Sequence, residues 1–263
     1  MPTLDAAACA EMIDALTDIA VLASKAILEV AGSADIRRKD DGSPVTAADE
    51  ASEAVICAGL KRLAPAVPIV SEEQTDRPQT AASSSYFLVD PLDGTKEFIS
   101  GRDEYTVNIA VVTGGVPLLG IVAAPAARTA WRGIVGRGAQ RLPIVGGTIA
   151  PGAIHTRPRP GREFLIMVSR SHLEERTKAY IGQFPHAELV QCGSSVKFCR
   201  LAEGAADLYA RLAPTHDWDI AAGHAVLVAA GGKVTAPDGA PLAYGSPELL
   251  VPAFLAWGDR TPV

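Results

Sequence analysis

The chain has 263 residues, of which 48% are hydrophobic and 21% charged; this composition is typical of globular proteins and excludes a disordered chain. Its 24 Lys and Arg against 30 Asp and Glu leave a formal net charge of −6, which argues against nucleic acid or an anionic membrane as a partner. No apolar stretch approaches the roughly 18 residues of a membrane span. Because the four cysteines lack CxxC pairing and the first residues lack a basic segment, we expect a cytoplasmic protein without a signal peptide.

The first elements predicted are two helices. Apolar residues recur at three- and four-residue steps from Leu16 to Val30, and Gly32 ends that run. A polar loop follows, and Thr46 then caps a second helix that stops before Pro65. Together these patterns predict that two helices precede the first sheet.

Strands follow the helices. Short apolar runs bounded by turn residues predict strands at 68–71 and 86–89. Alternating residues predict a longer strand at 105–111, which a Gly-Gly turn sends back through 118–122. This half of the chain is therefore expected to be α+β.

A Gly- and Pro-rich segment separates the two halves. Seven of the sixteen residues at 146–161 are Gly or Pro, which predicts a boundary between an N-terminal half at 1–150 and a C-terminal half at 151–263. Beyond it, strands at 164–168, 189–190 and 207–212 alternate with helices at 171–181, 194–203 and 218–230. The whole chain is thus predicted to be a layered α/β fold.

The most informative stretch is VDPLDGTKE at 89–97. We expect a strand to end at Asp90, because Pro91 has no amide hydrogen with which to continue the ladder. Asp90, Asp93 and the carbonyl of Leu92 between them are oxygen ligands that could converge on one hard cation. The alternative is a surface Asp-Gly turn without a ligand.

An anion site is predicted beside those ligands. Gly94 permits a sharp turn, after which Thr95 can open a helix. The first amides of a helix point outward and bind phosphate well. Metal ligands and a phosphate cradle would then be adjacent.

Other acids have comparable placements. Glu72 and Glu73 follow a predicted strand, although Glu73 is better explained as a solvated loop acid. Asp219 opens a predicted helix, where it would also stabilise the helix dipole. Asp49 lies three residues after Thr46, so it could serve only as part of a capping box.

Four separated segments resemble, in this order, the motifs of the inositol monophosphatase-like superfamily of Mg²⁺-dependent, Li⁺-sensitive phosphatases. They are SPVTAAD at 43–49, SEE at 71–73, DPLDGT at 90–95 and WDIAA at 218–222. The segments TKEF at 95–98, SRSH at 169–172 and GSSVKFC at 193–199 are similar to its 3′(2′),5′-bisphosphate nucleotidase (CysQ) branch, in which Leu often stands in place of Val196.

The resemblance implies an αβαβα sugar-phosphatase fold that binds two or three Mg²⁺. The implied ligands are Glu72, Asp90, the Leu92 carbonyl and Asp93 for one ion, Asp90, Asp93 and Asp219 for a second, and Glu72 with Asp49 nearby for a weaker third. If ionised and clustered, the five acids would carry −5, and like charges so close together need cations between them. Charge arithmetic therefore agrees with the resemblance.

The implied reaction is direct in-line hydrolysis of a phosphate ester. Thr95, with Asp49 or Glu72, would orient a water molecule and take its proton. The residues expected to bind substrate are Gly94, Thr95, Lys96, Gly193, Ser194, Ser195, Lys197 and Asp219. Arg170 and His172 are further candidates, since they follow a predicted strand.

For other residues the structural interpretation competes with the functional one. Lys197 could lie on a solvated helix face instead of contacting a phosphate. Trp218 is expected to pack in the core more readily than to stack on adenine. His224 lies off the helical face of Asp219 and is expected to be a packed or surface histidine.

The branch implies removal of the 3′-phosphate from adenosine 3′,5′-bisphosphate, with 3′-phosphoadenylyl sulfate as a second substrate and a role in sulfate assimilation. Inositol monophosphate and fructose 1,6-bisphosphate are the alternative substrates. A haloacid dehalogenase mechanism does not fit, because two residues separate the acids in DPLDGT where that motif has one. A calcium-binding domain would need alternating ligands that are absent. A homodimer and peripheral attachment to the inner membrane face are left open.

Overall fold

A computed structural model of the chain describes residues 3–32, 36–38, 44–74, 85–144, 151–158, 163–170 and 173–258. Six helices and two main sheets are formed by these residues. The helices are α1 (Ala6–Val30), α2 (Ala47–Leu63), α3 (Thr95–Ile99), α4 (Glu175–Ile181), α5 (Val196–Ala202) and α6 (Asp217–Ala229).

Helices α1 and α2 form the first layer. The carboxylate of Asp5 starts α1 by accepting hydrogen bonds from the amides of Ala7 and Ala8, both at 2.9 Å. The two helices approach closely at Gly59, where a Cβ atom would lie 2.7 Å from Cγ1 of Ile19. Only glycine permits this approach without displacing the neighbouring side chain.

The first sheet follows a two-stranded pair, β1 (Ile36–Arg38) with β2 (Pro44–Thr46). Its seven strands lie side by side in chain order, and only β3 and β4 run parallel to each other. They are β3 (Ile69–Ser71), β4 (Ser85–Asp93), β5 (Thr106–Thr113), β6 (Val116–Ala124), β7 (Thr129–Ile134), β8 (Gly138–Pro143) and β9 (Gly152–Ile154).

The second sheet has five strands in the order β11-β10-β12-β16-β14. They are β10 (Leu165–Ser169), β11 (Glu188–Cys192), β12 (Leu208–Arg211), β14 (Lys233–Thr235) and β16 (Phe254–Trp257). Strand β10 is parallel to both of its neighbours, and β16 is antiparallel to both of its own. A short pair, β13 (Thr215–His216) with β15 (Leu250–Val251), lies outside this sheet.

Side-chain alternation builds the layers. In β4, Phe87 packs toward α1 and α2, whereas Tyr86 packs on the opposite face in a core shared with α5 and α6. Helix α6 lies so close to the first sheet that a Cβ at Gly120 would be 2.1 Å from the carbonyl oxygen of Ala222. Helix α4 covers the outer face of the second sheet through Ile181. The order helix, sheet, helix, sheet, helix confirms the predicted layered αβαβα fold.

Most predicted elements correspond to observed ones, with differences at their ends. The helix predicted at 171–181 begins only at Glu175, because the Glu174 side chain caps it by accepting a hydrogen bond from the amide of Thr177 at 3.1 Å. Strands β1, β2, β7 to β9 and β13 to β16 were not predicted; β1 and β2 lie at the two ends of the segment that was expected to be a polar loop. All six residues of β7 are buried, so its sequence lacks the alternation that marks a half-exposed strand.

The two halves share one core. A single apolar cluster contains Leu88 and Trp131 from the first sheet together with Phe198 and Phe254 from the C-terminal half. Strand β9, which follows position 150, pairs with β8 of the first sheet. The division near residue 150 stays a prediction.

Candidate active site

Three carboxylates from different parts of the chain meet at one point. Asp90 and Asp93 come from the end of β4, and Asp219 comes from the first turn of α6. One carboxylate oxygen of each lies within 4.8 Å of the others. Glu72 directly follows β3, whose last residue, Ser71, pairs with Val89 next to Asp90 in the parallel strand β4, and it lines the same cavity.

A bulge in β4 aims Asp90 and Asp93 in the same direction. Asp90 is paired with Asn108 and Asp93 with Thr106, and the register shifts between the two pairs. In a regular strand, residues three apart point to opposite faces, so the irregularity is required to bring both carboxylates to the cavity. The prediction that the strand ends at Asp90 was wrong: Pro91 is accommodated within the bulge, where no ladder hydrogen bond is needed.

The two carboxylate oxygens of Asp49 have different partners: one caps the start of α2, and the other contacts Thr95 in the site. Its Oδ2 accepts hydrogen bonds from the amide of Thr46 at 2.8 Å and from the Thr46 hydroxyl at 2.6 Å, which completes a capping box. Its Oδ1 accepts a hydrogen bond from the Thr95 hydroxyl at 3.2 Å. That hydroxyl also lies 3.1 Å from the carbonyl oxygen of Leu92. The capping box therefore does not exclude a role for Asp49 in the site.

The carboxylates are electrostatically unfavourable neighbours. Burial raises the pKa of Asp90 well above its usual range, and the charge of Glu72 adds to this effect. Burial, followed by the charge of Asp219, raises the pKa of Asp93 to about 7. Burial also raises the pKa of Asp219 to about 6 and the pKa of Asp49 above its ordinary value. A hard divalent cation would offset this cost, and the all-oxygen donor set suits Mg²⁺ or Ca²⁺.

The carboxylates line a cavity of about 320 Å³, which is large enough for a small ligand. Residues predicted for the site that line it are Glu72, Asp90, Leu92, Asp93, Gly94, Thr95, Lys96, Gly193, Ser194, Lys197 and Asp219. The remaining two, Asp49 and Ser195, are hydrogen-bonded to lining residues.

Gly94 is required by the turn between β4 and α3. Its φ of +94° is rarely adopted by other residues, and a Cβ there would lie 2.9 Å from the carbonyl oxygen of Glu104. The turn places Thr95 at the start of α3 and leaves Lys96 exposed at the cavity.

Ser195 joins the two halves of the chain at the site. Its amide donates a hydrogen bond to Oδ2 of Asp93 at 2.7 Å, and its hydroxyl donates to the carbonyl oxygen of Asp219 at 2.6 Å. The side-chain amide of Asn108 donates to the same hydroxyl at 3.0 Å. Ser195 is buried, and its amide and hydroxyl form hydrogen bonds that fix the positions of Asp93 and Asp219.

Lys197 is buried rather than solvated, so its interpretation as part of an exposed helix face was wrong. Its amine donates hydrogen bonds to the carbonyl oxygens of Ser194 at 2.6 Å and Cys192 at 3.3 Å. It also lies 4.9 Å from the ring centroid of Tyr209, a favourable cation–π distance. Two of its three donors are thus engaged by backbone carbonyls.

Arg170 pairs with an acid that the sequence patterns did not reveal. Its guanidinium donates to both carboxylate oxygens of Glu104, at 2.7 and 2.9 Å, and Glu104 also accepts a hydrogen bond from the amide of Gly193 at 2.9 Å. The ion pair links the loop before β5 to the end of β10, and the hydrogen bond from Gly193 links the same loop to the turn after β11. His172, the other candidate in that segment, lies outside the described residues.

Two aromatic predictions can be compared with the structure. Trp218 is buried, as expected for a packing residue, and its ring stacks on that of His216 with centroids 4.4 Å apart. His224 is also buried, and its Nδ1 lies 2.7 Å from the hydroxyl of Tyr244, as expected for a packed histidine.

Known proteins resemble this chain over nearly its whole length. The profile of the inositol monophosphatase family matches residues 8–260. The chain belongs to the inositol monophosphatase family. Within this family, it is 42% identical to the 3′(2′),5′-bisphosphate nucleotidase CysQ of Shigella flexneri over 262 residues, covering 96% of this chain and 100% of that protein.

Solved structures of the inositol monophosphatase family agree with the fold. CysQ from Bacteroides thetaiotaomicron superimposes with a TM-score of 0.83 at 33% identity, covering 95% of this chain and 98% of that one. The inositol monophosphatase of Anabaena gives a TM-score of 0.75 at 25% identity, covering 95% and 91%. The family resemblance drawn from the motifs is thereby confirmed. Among the described residues, no helix has the length and apolar character needed to cross a membrane.

Proposed function

We propose that this protein is a Mg²⁺-dependent 3′(2′),5′-bisphosphate nucleotidase that converts adenosine 3′,5′-bisphosphate to AMP and phosphate. The observation that carries this proposal is the cluster of one buried and two half-buried carboxylates on a cavity beside the Gly94 turn. Relatives that bear the nucleotidase name and align along almost the whole chain support the choice of substrate.

The predicted ligand sets are those that the resemblance implies. Glu72, Asp90, the Leu92 carbonyl and Asp93 would hold one ion, and Asp219 would join the two aspartates for a second. A third would lie near Glu72 and Asp49. When bound, these cations supply positive charge that attracts the substrate phosphate and stabilises the leaving oxygen.

The residues around Thr95 would handle the attacking water. The Thr95 hydroxyl already contacts Asp49, so it can orient a water molecule as that carboxylate, or Glu72, accepts the proton. The amides of Gly94 and Thr95 would bind phosphate oxygens, with Lys96 beside them. The remaining substrate contacts are proposed at Gly193, Ser194, Lys197 and Asp219. Ser195, first expected among them, would instead hold Asp93 and Asp219 in place through its amide and its hydroxyl.

Phosphate release with and without Mg²⁺ tests the proposal. The purified protein is given adenosine 3′,5′-bisphosphate, inositol 1-phosphate or fructose 1,6-bisphosphate at equal concentrations, and 3′-phosphoadenylyl sulfate is tested as a second nucleotide. We expect the highest kcat/KM for the bisphosphate nucleotide and no release in excess chelator. Preference for either sugar phosphate, or release that is independent of divalent ions, would contradict the proposal. The cytoplasmic location, any peripheral membrane attachment and the homodimer stay predictions.

A further inference from the structure

One acidic residue outside the carboxylate cluster contacts both turns that are proposed to bind substrate. Glu104 lies in the loop before β5, and in the described structure it is not among the residues that line the cavity. The two turns are the Gly94 turn, which precedes α3, and the Gly193 turn, formed by Gly193 and Ser194 before α5. From this position, Glu104 can set the separation of the two turns without touching the substrate.

The backbone of Glu104 lies between the two turns. A Cβ atom at Gly94 would lie 2.9 Å from the carbonyl oxygen of Glu104, and a Cβ atom at Gly193 would lie 2.9 Å from the same oxygen. Both glycines therefore allow the chain to pack directly against one carbonyl group. Tyr105, the next residue, packs edge-on against Phe98 of α3 with ring centroids 5.1 Å apart, which fixes the loop to the helix that follows the Gly94 turn.

The side chain of Glu104 holds the Gly193 turn. Its Oε2 accepts a hydrogen bond from the amide of Gly193 at 2.9 Å, and Arg170 donates to both of its carboxylate oxygens. The hydrogen bonds from Arg170 keep the pKa of Glu104 below its ordinary value, so the acceptor is a carboxylate at neutral pH. A charged acceptor makes the hydrogen bond from Gly193 stronger than one between neutral groups.

The Gly193 turn needs such support because its backbone is strained. Ser194 has a φ of +47°, in the left-handed region that residues other than glycine rarely adopt. A conformation of this kind persists where the surrounding contacts over-determine it. Two such contacts are the hydrogen bond from the Gly193 amide to Glu104 and the one from the Lys197 amine to the carbonyl oxygen of Ser194, at 2.6 Å. Loss of either contact allows the turn to adopt other conformations.

We propose that Glu104 is a positioning residue whose carboxylate keeps the Gly193 turn in the conformation that binds the nucleotide part of the substrate. This inference rests on the proposed function and adds to it how the substrate-binding turn is held. Arg170, first expected to contact the substrate, acts through Glu104 by orienting its carboxylate. If the turn is ordered in only a fraction of the molecules, the apparent affinity for the nucleotide falls in proportion to that fraction.

Glu104→Gln tests the role of the carboxylate. The variant keeps the size of the side chain but replaces one carboxylate oxygen with an NH2 group, which cannot accept a hydrogen bond from Gly193 or Arg170. We expect KM for adenosine 3′,5′-bisphosphate to rise by roughly tenfold, the effect of losing one hydrogen bond to a charged group, and kcat to stay within about threefold. The kcat is preserved because the backbone carbonyl that packs against Gly94 is unchanged.

Inorganic phosphate separates the two turns. It occupies only the position of the reacting phosphate, so its inhibition constant should change by less than about twofold in Glu104→Gln. An inhibition constant that rises as much as KM would show that the whole cavity is disturbed, and it would overturn the proposal.

The pair formed by Arg157 and Asp207 supplies a matched control. Asp207 also accepts two hydrogen bonds from an arginine, at 2.9 and 2.7 Å, and one from a backbone amide, that of Leu165, at 2.8 Å. Neither member of the pair lines the cavity in the described structure. Asp207→Asn should lower the melting temperature at least as much as Glu104→Gln, because Asp207 is 4% exposed and Glu104 27%, but it should leave KM unchanged. An equal rise of KM in Asp207→Asn would mean that KM follows stability, which contradicts the proposal.

A double variant tests whether Arg170 acts through Glu104. Arg170→Gln should also raise KM, and Glu104→Gln combined with Arg170→Gln should raise it by less than about twofold beyond Glu104→Gln alone. Effects that multiply in the double variant would show that the two residues act separately. If Glu104→Gln does not fold, Arg170→Gln provides the same test, since it leaves the carboxylate of Glu104 without its orienting partner.

Calorimetry with AMP gives a readout that is independent of turnover. AMP contains the nucleotide part but lacks the reacting phosphate, so its Kd should rise in Glu104→Gln by about the same factor as KM. If the wild-type protein releases no phosphate from the bisphosphate nucleotide, the proposed function itself fails. If it does, and folded Glu104→Gln keeps the wild-type KM and the wild-type affinity for AMP, only the inference fails.

Discussion

The two walls of the cavity differ in how their polar groups are compensated. On the N-terminal wall, Asp90 and Asp93 are crowded like charges, and burial raises the pKa of both. On the wall formed by Gly193 to Lys197, the amide of Ser195, its hydroxyl and the Lys197 amine are bonded to protein atoms. Cation binding is therefore expected at the wall where the protein leaves charge uncompensated, and the hydrogen-bonded groups of the other wall hold those charges in place.

The largest effect is expected on the acidic wall. Asp93→Asn removes a ligand charge but keeps an oxygen that can accept the hydrogen bond from Ser195. Because metal charge contributes several kcal/mol to such reactions, phosphate release should fall by at least about a thousandfold while circular dichroism stays unchanged. Asp18→Asn, an exposed change on α1, is the matched control. A fully active Asp93→Asn protein would remove this residue from the site.

The second-largest loss of activity is expected at Thr95, which can be compared with Thr46 because both hydroxyls donate to the carboxylate of Asp49. Thr95→Val deletes the hydroxyl that contacts Asp49 Oδ1, and kcat should fall by roughly a hundredfold because the attacking water loses its orienting group. Thr46→Val deletes the hydroxyl on Oδ2 and should chiefly destabilise α2, by about 1 kcal/mol. Rates and urea unfolding midpoints of both variants check this. Equal loss of kcat in the two variants would show that Thr95 has no special role.

The raised pKa values predict how the metal-free protein responds to pH. Folded Asp93, with its pKa raised by burial from 3.8 to about 7, binds more protons than the unfolded chain between those values. The contribution of Asp93 to stability is therefore greatest below the lower value and falls as pH rises toward the upper one. In chelator, the melting temperature should drop by several degrees between pH 5 and pH 8. Mg²⁺ should reverse much of the drop, and Asp93→Asn should flatten it; a metal-free protein that is more stable at pH 8 would contradict the electrostatic account.

The smallest effect on activity is expected on the wall formed by Gly193 to Lys197, where the polar groups are hydrogen-bonded to the protein. Ser195→Ala removes a buried hydroxyl that is bonded to Asn108 and to the carbonyl of Asp219, which should cost about 1–2 kcal/mol of unfolding free energy. Because that hydroxyl is engaged, KM for the bisphosphate nucleotide should change by less than about twofold. Chemical unfolding and steady-state rates measure the two quantities. A tenfold rise in KM without loss of stability would make Ser195 a direct substrate contact.

The acidic residues of the site could be predicted from the sequence because each lies at the end of a predicted strand or at the start of a predicted helix. Asp90 and Glu72 follow buried apolar runs, and Asp219 and Asp49 lie at helix starts, positions that sequence patterns identify. Their convergence followed from the family motifs, since local patterns carry no information on which element ends meet.

What could not be predicted depends on partners that are far apart in sequence. Glu104 and Arg170 are separated by 66 positions, and neither stands in a pattern that indicates an ion pair. The buried amine of Lys197 needs hydrogen-bond acceptors, and these are the carbonyl oxygens of Cys192 and Ser194 just before α5. The bulge in β4 likewise depends on pairing with β5, so a proline that reads as a strand end lies inside the strand.

Asp49 connects the first turn of α2 with the residue proposed to orient the attacking water. The same carboxylate that fixes the first turn of α2 positions the Thr95 hydroxyl. Any fraying of that turn would release the hydroxyl as well. The role proposed for Thr95 therefore implies that the fraction of molecules competent for turnover does not exceed the fraction in which this helix end is formed.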